Sequence, residues 1–232
     1  MVSEFCGRSS RLTGTSLEAK KAHEMSKLRV WGHPKSINVT KVLWALDELG
    51  VEYERIDAGG PYGKVKEADY LTLNPNGLIP TLEDGRTVIW ESNAILRYLA
   101  GKYGAAPFWP SDLGIRGRSD SWIEWNSSTF WPALQPLQVQ LVRTPGERRD
   151  PGIVLAARQR LETSLRILDR ELAKSAFVAG DDLTLGDLPL ATVAQRWFNL
   201  PIERPSASSV EAWYRRVKER AGFKRWVDQP LF

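Results

Sequence analysis

Cysteine is nearly absent from this chain, with one residue, Cys6, in 232. A single thiol excludes an internal disulfide framework, a C-x-x-C redox pair and a cysteine-based zinc site. Histidine is almost as scarce: His23 and His33 are the only two, too few for a histidine-rich centre, and no metal site is expected. No apolar stretch approaches the roughly 18 to 20 residues that would span a bilayer. The first 25 residues also lack the continuous apolar core of a signal peptide. Charge of one sign is missing too. The 32 Lys and Arg stand against 28 Asp and Glu, a net charge of +4 spread without long runs, so neither nucleic acid nor a membrane is an expected partner. What is present, 42% hydrophobic and 26% charged residues, is the composition of a soluble globular protein long enough for two ordinary domains. The expected compartment is the cytoplasm, and any chemistry falls to hydroxyls, carboxylates, amides or a borrowed group.

Residues 1–25 are rich in Ser, Thr, Gly, Lys and Arg and carry no apolar period, which reads as a disordered leader or tag. Cys6 and His23 lie within it and are set aside. From Leu28 the signals alternate quickly. Leu28–Trp31 is a β-type run, Ser36–Leu49 carries a helical stripe closed by Gly50, and Val51–Ile56 reads as a second strand, so the opening is a βαβ unit. A short irregular helix is expected over Lys64–Leu71. Pro80–Glu83 and Arg86–Trp90 then flank Asp84-Gly85, which suits a type I′ hairpin. A helix over Glu91–Ala100 completes a βαβαββα order, and residues 26–101 are expected to form one domain. Residues 102–113 have the glycine and proline content of a linker.

Beyond it, residues 114–232 show no strand signals. Leu161, Leu165, Leu168 and Leu172 form a core-facing helical stripe, repeated by Trp213 and Val217. Thr184 and Asp187 have the spacing of a helix-start capping box, with Leu183 and Leu188 as a hydrophobic staple. Pro189 just after it predicts a distorted first turn. The fold class is therefore α/β plus all-α, a small mixed-sheet domain followed by an all-helical one.

Three motifs occur in fixed order: Asn74-Pro75-Asn76-Gly77-Leu78-Ile79-Pro80, then Glu91-Ser92 opening a helix, then the capped start at Thr184–Asp187. In this order and spacing the chain from Leu28 to about Phe232 resembles the cytosolic glutathione transferases, whose first domain is thioredoxin-like. The segment from Trp31 to Val42 is similar to the bacterial serine-type branch. The resemblance implies a glutathione transferase that binds glutathione as cosubstrate and directs its thiol at a small apolar electrophile. It also implies a homodimer and a role in detoxification.

A free thiol with a pKa near 8.5 is only a few per cent thiolate at neutral pH, so the protein must favour the anion. A hydroxyl donor and the positive end of a helix, each worth on the order of 1 kcal/mol, lower a thiol pKa by one to two units. Ser36 stands where both act, although serine is also an ordinary helix cap. Asn38 is the rival candidate for the sulfur. His33 is either a base or a solvated loop residue, and Lys41 continues the family's pattern of a basic residue five after Ser36 or is a solvent-facing helix charge. The resemblance implies a cis Ile79–Pro80 bond that offers the Ile79 backbone to the cysteinyl unit. It assigns the γ-glutamyl end to Glu91 and Ser92, where a helix N-terminus suits a carboxylate and the acid an ammonium. Leu78 departs from the family pattern, leaving Lys64 and Lys66 as candidates for the glycyl carboxylate. Trp122 and Trp125 are expected in the electrophile pocket, with Pro132 and Pro136 kinking the helix that carries them. Two other functions remain open on these residues: a glutathione-dependent disulfide or peroxide reductase, and a non-catalytic binding module.

Overall fold

The computed structural model describes residues 28–230. The segment 1–25, with Cys6 and His23, lies outside the described residues. The first domain contains β1 (Leu28–Trp31), α1 (Ile37–Leu49), β2 (Tyr53–Ile56), α2 (Ala68–Leu73), β3 (Thr81–Asp84), β4 (Thr87–Trp90) and α3 (Ser92–Tyr103). The sheet order is β2-β1-β3-β4, with β1 parallel to β2 and antiparallel to β3. A parallel pair needs a crossover, and α1 supplies it. Val39, Val42, Leu43 and Leu46 of that helix are fully buried, and Gly50 ends it at φ 63°, where a residue without Cβ closes the last carbonyls onto its own N–H.

The hairpin corrects one expectation. Asp84 still pairs, with Thr87, so the two-residue loop is Gly85-Arg86. Gly85 has φ 62°, and among the described non-glycine residues only Lys64 and Glu91 have positive φ, so Arg86 does not. A positive φ at the first turn position alone is the II′ pattern rather than I′. The α2 helix likewise starts later than Lys64, at Ala68. The helix α3 runs past the expected Ala100 to Tyr103, and the next helix begins at Leu113.

The second domain is helical among the described residues: α4 (Leu113–Trp125), α5 (Trp131–Gln138), α6 (Pro151–Leu172), α7 (Asp187–Asn199), α8 (Ser208–Lys218) and α9 (Ala221–Trp226). Two π-turns, Asn126–Phe130 and Val139–Arg143, flank α5. Pro132 and Pro136, each without an N–H to give to the preceding turn, sit in that stretch and accompany the irregularity rather than end the helix. The start of α7 corrects the expected capping box: the N-cap is Gly186 rather than Thr184, and although Asp187 Oδ2 accepts from the Thr184 N–H at 2.9 Å, the Thr184 hydroxyl bonds that same carboxylate instead of the Asp187 N–H. The turn before it is tight, with Asp187 N–H bonding Thr184 O at 3.1 Å, and so accommodates Pro189.

The two domains share one apolar core. Trp44 of α1 packs edge-on to Phe223 of α9, with ring centroids 5.4 Å apart. Gly222 lies so close that a Cβ there would stand 2.4 Å from Trp44 Cδ1. Around this contact Trp226 Nε1 donates to Asp47 Oδ2 at 2.8 Å and Arg220 pairs with Glu48. On the other side Arg97 of α3 bonds Asp120 of α4 at 2.6 Å.

Candidate active site

The strand register brings three segments of the first domain to one end of the sheet. Trp31 is opposite Thr81, and Thr81 is opposite Trp90. Strands lie about 4.8 Å apart, so the segments that leave this row must be neighbours: the loop from Gly32 to Ser36, the Ile79–Pro80 pair and Glu91-Ser92. Both long helices of the domain also begin here, α1 after Ser36 and α3 after Glu91. Their free N–H groups give this end of the sheet a positive character.

Ser36 has extended backbone angles, φ −83° and ψ 123°, and its carbonyl accepts from the N–H groups of Val39 and Thr40. Its side chain makes no capping bond. Serine is therefore not spent on the role that most often places it at a helix start, and its half-buried hydroxyl is available to a ligand. The loop before it is held by Arg55, whose Nη1 donates to Gly32 O at 3.2 Å and which pairs with Asp57. Asn38 is exposed. Two residues along a helix point to different sides, so it does not share the face of Ser36. His33 stands 6.0 Å from Tyr62, ring to ring, and burial pushes its imidazole below the ordinary value, with Asp57 opposing.

The Ile79–Pro80 bond is cis. Ile79 lies before the first residue of β3, and its N–H and C=O are not among the backbone bonds of the surrounding loop. The sequence motif around it has a physical purpose. Asn74 is buried and accepts from the Asn76 N–H at 3.0 Å, an Asx turn, while its amide donates to Leu78 O at 2.9 Å. Tyr70 of α2 donates to the same carbonyl at 2.5 Å and bonds the Thr81 hydroxyl at 2.8 Å. Gly77 has φ 59°, and a Cβ there would stand 2.7 Å from Val65 O, so only glycine fits. Lys66 Nζ lies against the same glycine. Tyr70 and the inward half of this network carry no signal of their own in the sequence.

Glu91 is one of two described non-glycine residues at positive φ, with φ 69° and ψ 112°. A non-glycine residue there is strained, and such strain concentrates at ligand sites. Glu91 is exposed, while Ser92, buried, begins α3.

Lys41 corrects the solvent-facing alternative: it is only 4% exposed. Its ammonium donates to Asn93 Oδ1 at 2.7 Å, and Asn93 Nδ2 donates to Ser127 Oγ at 2.8 Å in the first π-turn. Burial pushes the Lys41 pKa down to about 7, with Glu91 opposing, Arg97 adding to the fall and Glu124 opposing. Trp122 and Trp125 are half buried, edge to face at 5.0 Å, and Trp125 stacks on Phe130 at 5.5 Å. Among the described residues no group of three or more metal-ligating side chains occurs, and no helix there is long and apolar enough to cross a membrane.

Comparison with known proteins gives the family. Residues 26–101 match the family model described as glutathione S-transferase, N-terminal domain, and residues 129–228 match that of the C-terminal domain. The chain is 36% identical to glutathione S-transferase GstB of Escherichia coli K12 over 88% of its own length and 99% of that protein's. It is 33% identical to glutathione S-transferase 3 of Zea mays, covering 88% and 94% of the two chains. Among solved structures it is similar to the theta class glutathione S-transferase of Xanthomonas axonopodis pv. citri with glutathione bound. There the identity is 39%, the coverage 89% and 100%, and the TM-score 0.84.

Proposed function

The chain belongs to the glutathione S-transferase family and is a glutathione transferase with glutathione as cosubstrate, and from that premise we propose that Ser36 activates the thiol. The observation that carries the assignment is a serine hydroxyl left unengaged at the N-terminus of a 13-residue helix, at the sheet end where Ile79 and Glu91-Ser92 converge. Donated to sulfur, that hydroxyl and the positive helix end favour thiolate over thiol. Its attack on a carbon electrophile forms the C–S bond as the leaving group departs with its electron pair. The exposed Asn38 is a weaker second candidate. This reading puts the enzyme in the serine-type branch.

The remaining contacts divide the peptide among three places. The Ile79 backbone pairs with the cysteinyl unit as an added strand would. The γ-glutamyl ammonium goes to Glu91 and its carboxylate to the Ser92 end of α3. Lys66, lying over Gly77, is preferred to Lys64 for the glycyl carboxylate. Trp122 and Trp125 form the apolar wall for the electrophile. A homodimer is supported by the partial exposure of Val88 and Trp90 on the outer strand β4. The role proposed is clearance of reactive electrophiles in the cytoplasm.

The test is the thiolate absorbance of bound glutathione against pH in the parent and in Ser36→Ala. The expected result is a thiol pKa depressed by one to two units in the parent and restored by at least one in the variant. An equally depressed pKa in both proteins would move the role away from Ser36.

A further inference from the structure

Between the two domains, beside the Ser36 segment, lies a cavity of about 310 Å³. Its walls include Pro34 and Lys35 from the loop before Ser36, Thr40 of α1, Arg196 of α7, and Arg225 and Gln229 beyond α8, with apolar side chains between them. Thr40 is four residues after Ser36 and its N–H bonds the Ser36 carbonyl at 2.9 Å. Residues so spaced stand one above the other on a helix. The cavity therefore opens along the helix side on which the sulfur is to be held.

Its charge is one-sided. Lys35, Arg196 and Arg225 all line it, and no Asp or Glu does among the described residues. Arg225 has a counter-ion outside the cavity, Asp47 at 3.5 Å, and its guanidinium lies over the Trp226 ring. Arg196 is different. It has no salt bridge among the described residues, and its side-chain bond there is a 3.3 Å contact with the amide oxygen of Gln195. Burial pushes it down to about 10, and the nearby Arg143, at the end of the second π-turn, pushes the same way. A half-buried guanidinium facing a like charge is an unfavourable arrangement for a fold to keep on packing grounds alone. Its planar fork is also the geometry that holds a carboxylate or sulfonate through two parallel N–H bonds.

We propose that this cavity takes the anionic end of the acceptor, so that the preferred electrophiles are small molecules bearing a carboxylate or sulfonate, with Arg196 as the specificity-determining residue and Lys35 as its partner. The proposal rests on the reading of Ser36 as the sulfur contact, because that contact sets the cavity beside the reacting thiolate. In the step itself the glutathione sulfur bonds to the electrophilic carbon, the carbon–halogen bond breaks, the halide leaves with the bonding pair, and the thiol proton has already passed to solvent. The anionic group stays unchanged and serves only to orient the molecule.

A matched pair of acceptors tests this: 4-chloro-3,5-dinitrobenzoate and 4-chloro-3,5-dinitrobenzamide, which differ in charge but both lose chloride. The parent should favour the benzoate in kcat/KM by at least tenfold after correction for the uncatalysed rates, and the preference should shrink as salt is raised. Arg196→Gln should lower that ratio tenfold or more, mainly through KM for the benzoate, while Arg196→Lys should restore part of it. Lys35→Gln, at the more exposed wall, should lower it less and covers the case in which Arg196→Gln folds poorly. An unchanged ratio in folded Arg196→Gln, or a parent that prefers the benzamide, overturns the proposal. Those results leave the Ser36 reading intact as long as bound glutathione still shows a depressed thiol pKa; an undepressed pKa marks the failure of that reading instead.

Discussion

The Lys41 ammonium donates to Asn93 Oδ1 at 2.7 Å, across a separation of 52 residues. The contact ties the first turns of α1 to the start of α3, and Asn93 passes the link to Ser127 of the second domain. Lys41 thus braces from below the two helix ends that are proposed to flank glutathione.

The same lysine makes stability depend on pH. Its folded value is about 7 against 10.5 for an unperturbed lysine. Between those limits the unfolded chain holds a proton that the folded chain has released, so stability rises with pH from about 7 to about 10.5. Urea unfolding should show Lys41→Met more stable than the parent by about 1 to 2 kcal/mol at pH 7. The gap should close by pH 10; a constant gap would assign it to packing alone.

Asp187 behaves in the opposite direction. Its carboxylate accepts from the N–H groups of Thr184 and Val178, the Thr184 hydroxyl and, at 2.9 Å, the Trp213 indole. Asp187→Ala strands buried donors and should cost about 3 kcal/mol at pH 7 by urea unfolding. Burial, against those four bonds, raises the Asp187 pKa from 3.8 to about 6. The folded state then keeps a proton that the unfolded state has lost, so the contribution falls as pH rises through that window. The difference between parent and variant should narrow from about pH 4 to pH 6.

Gly77→Ala should disturb the loop that leads to Ile79. Its φ of 59° and the 2.7 Å approach to Val65 O leave no place for a methyl. Strain of this kind is worth about 1 to 3 kcal/mol. Calorimetric titration should show weaker glutathione binding together with a lower melting temperature. A loss of stability with unchanged binding would separate the loop from the site.

Glu91→Gln removes the proposed partner of the γ-glutamyl ammonium while keeping its size. A hydrogen bond to a charged group contributes about 1.5 to 3 kcal/mol, so KM for glutathione should rise about ten- to hundredfold. The change in kcat should be far smaller, since the contact lies away from the sulfur. An equal fall in kcat would place Glu91 in the chemical step.

The sequence read most clearly where local pattern and tertiary demand coincide. Gly50, the buried stripe of α1 and the leucines of α6 are such places. The hairpin was displaced by one residue because Asp84-Gly85 is a favourable turn pair taken alone, whereas the cross-strand register keeps Asp84 paired with Thr87. The burial of Lys41 and the partial burial of Arg196 were not legible, for a shared reason. A charge at a helical position reads as solvent-facing, and its burial depends on elements distant in the chain. The motif residues proposed for the site, Ser36, Ile79, Glu91 and Ser92, stand in local patterns that can be read without the fold. Tyr70, which holds the loop between two of them, does not, because an aromatic residue in a short helix has no pattern that distinguishes a brace from packing.

The close approach of Gly222 to Trp44 has a thermodynamic corollary. With no room for even one methyl group at the seam, the junction is filled as tightly as a protein interior, and sliding one lobe over the other would open a void around Trp44 and Phe223. The lobes should therefore melt together in a single calorimetric transition. Residues 26–101 produced alone would leave an indole-sized hydrophobic wound where α9 had been, a fragment suited to aggregation rather than to ligand binding.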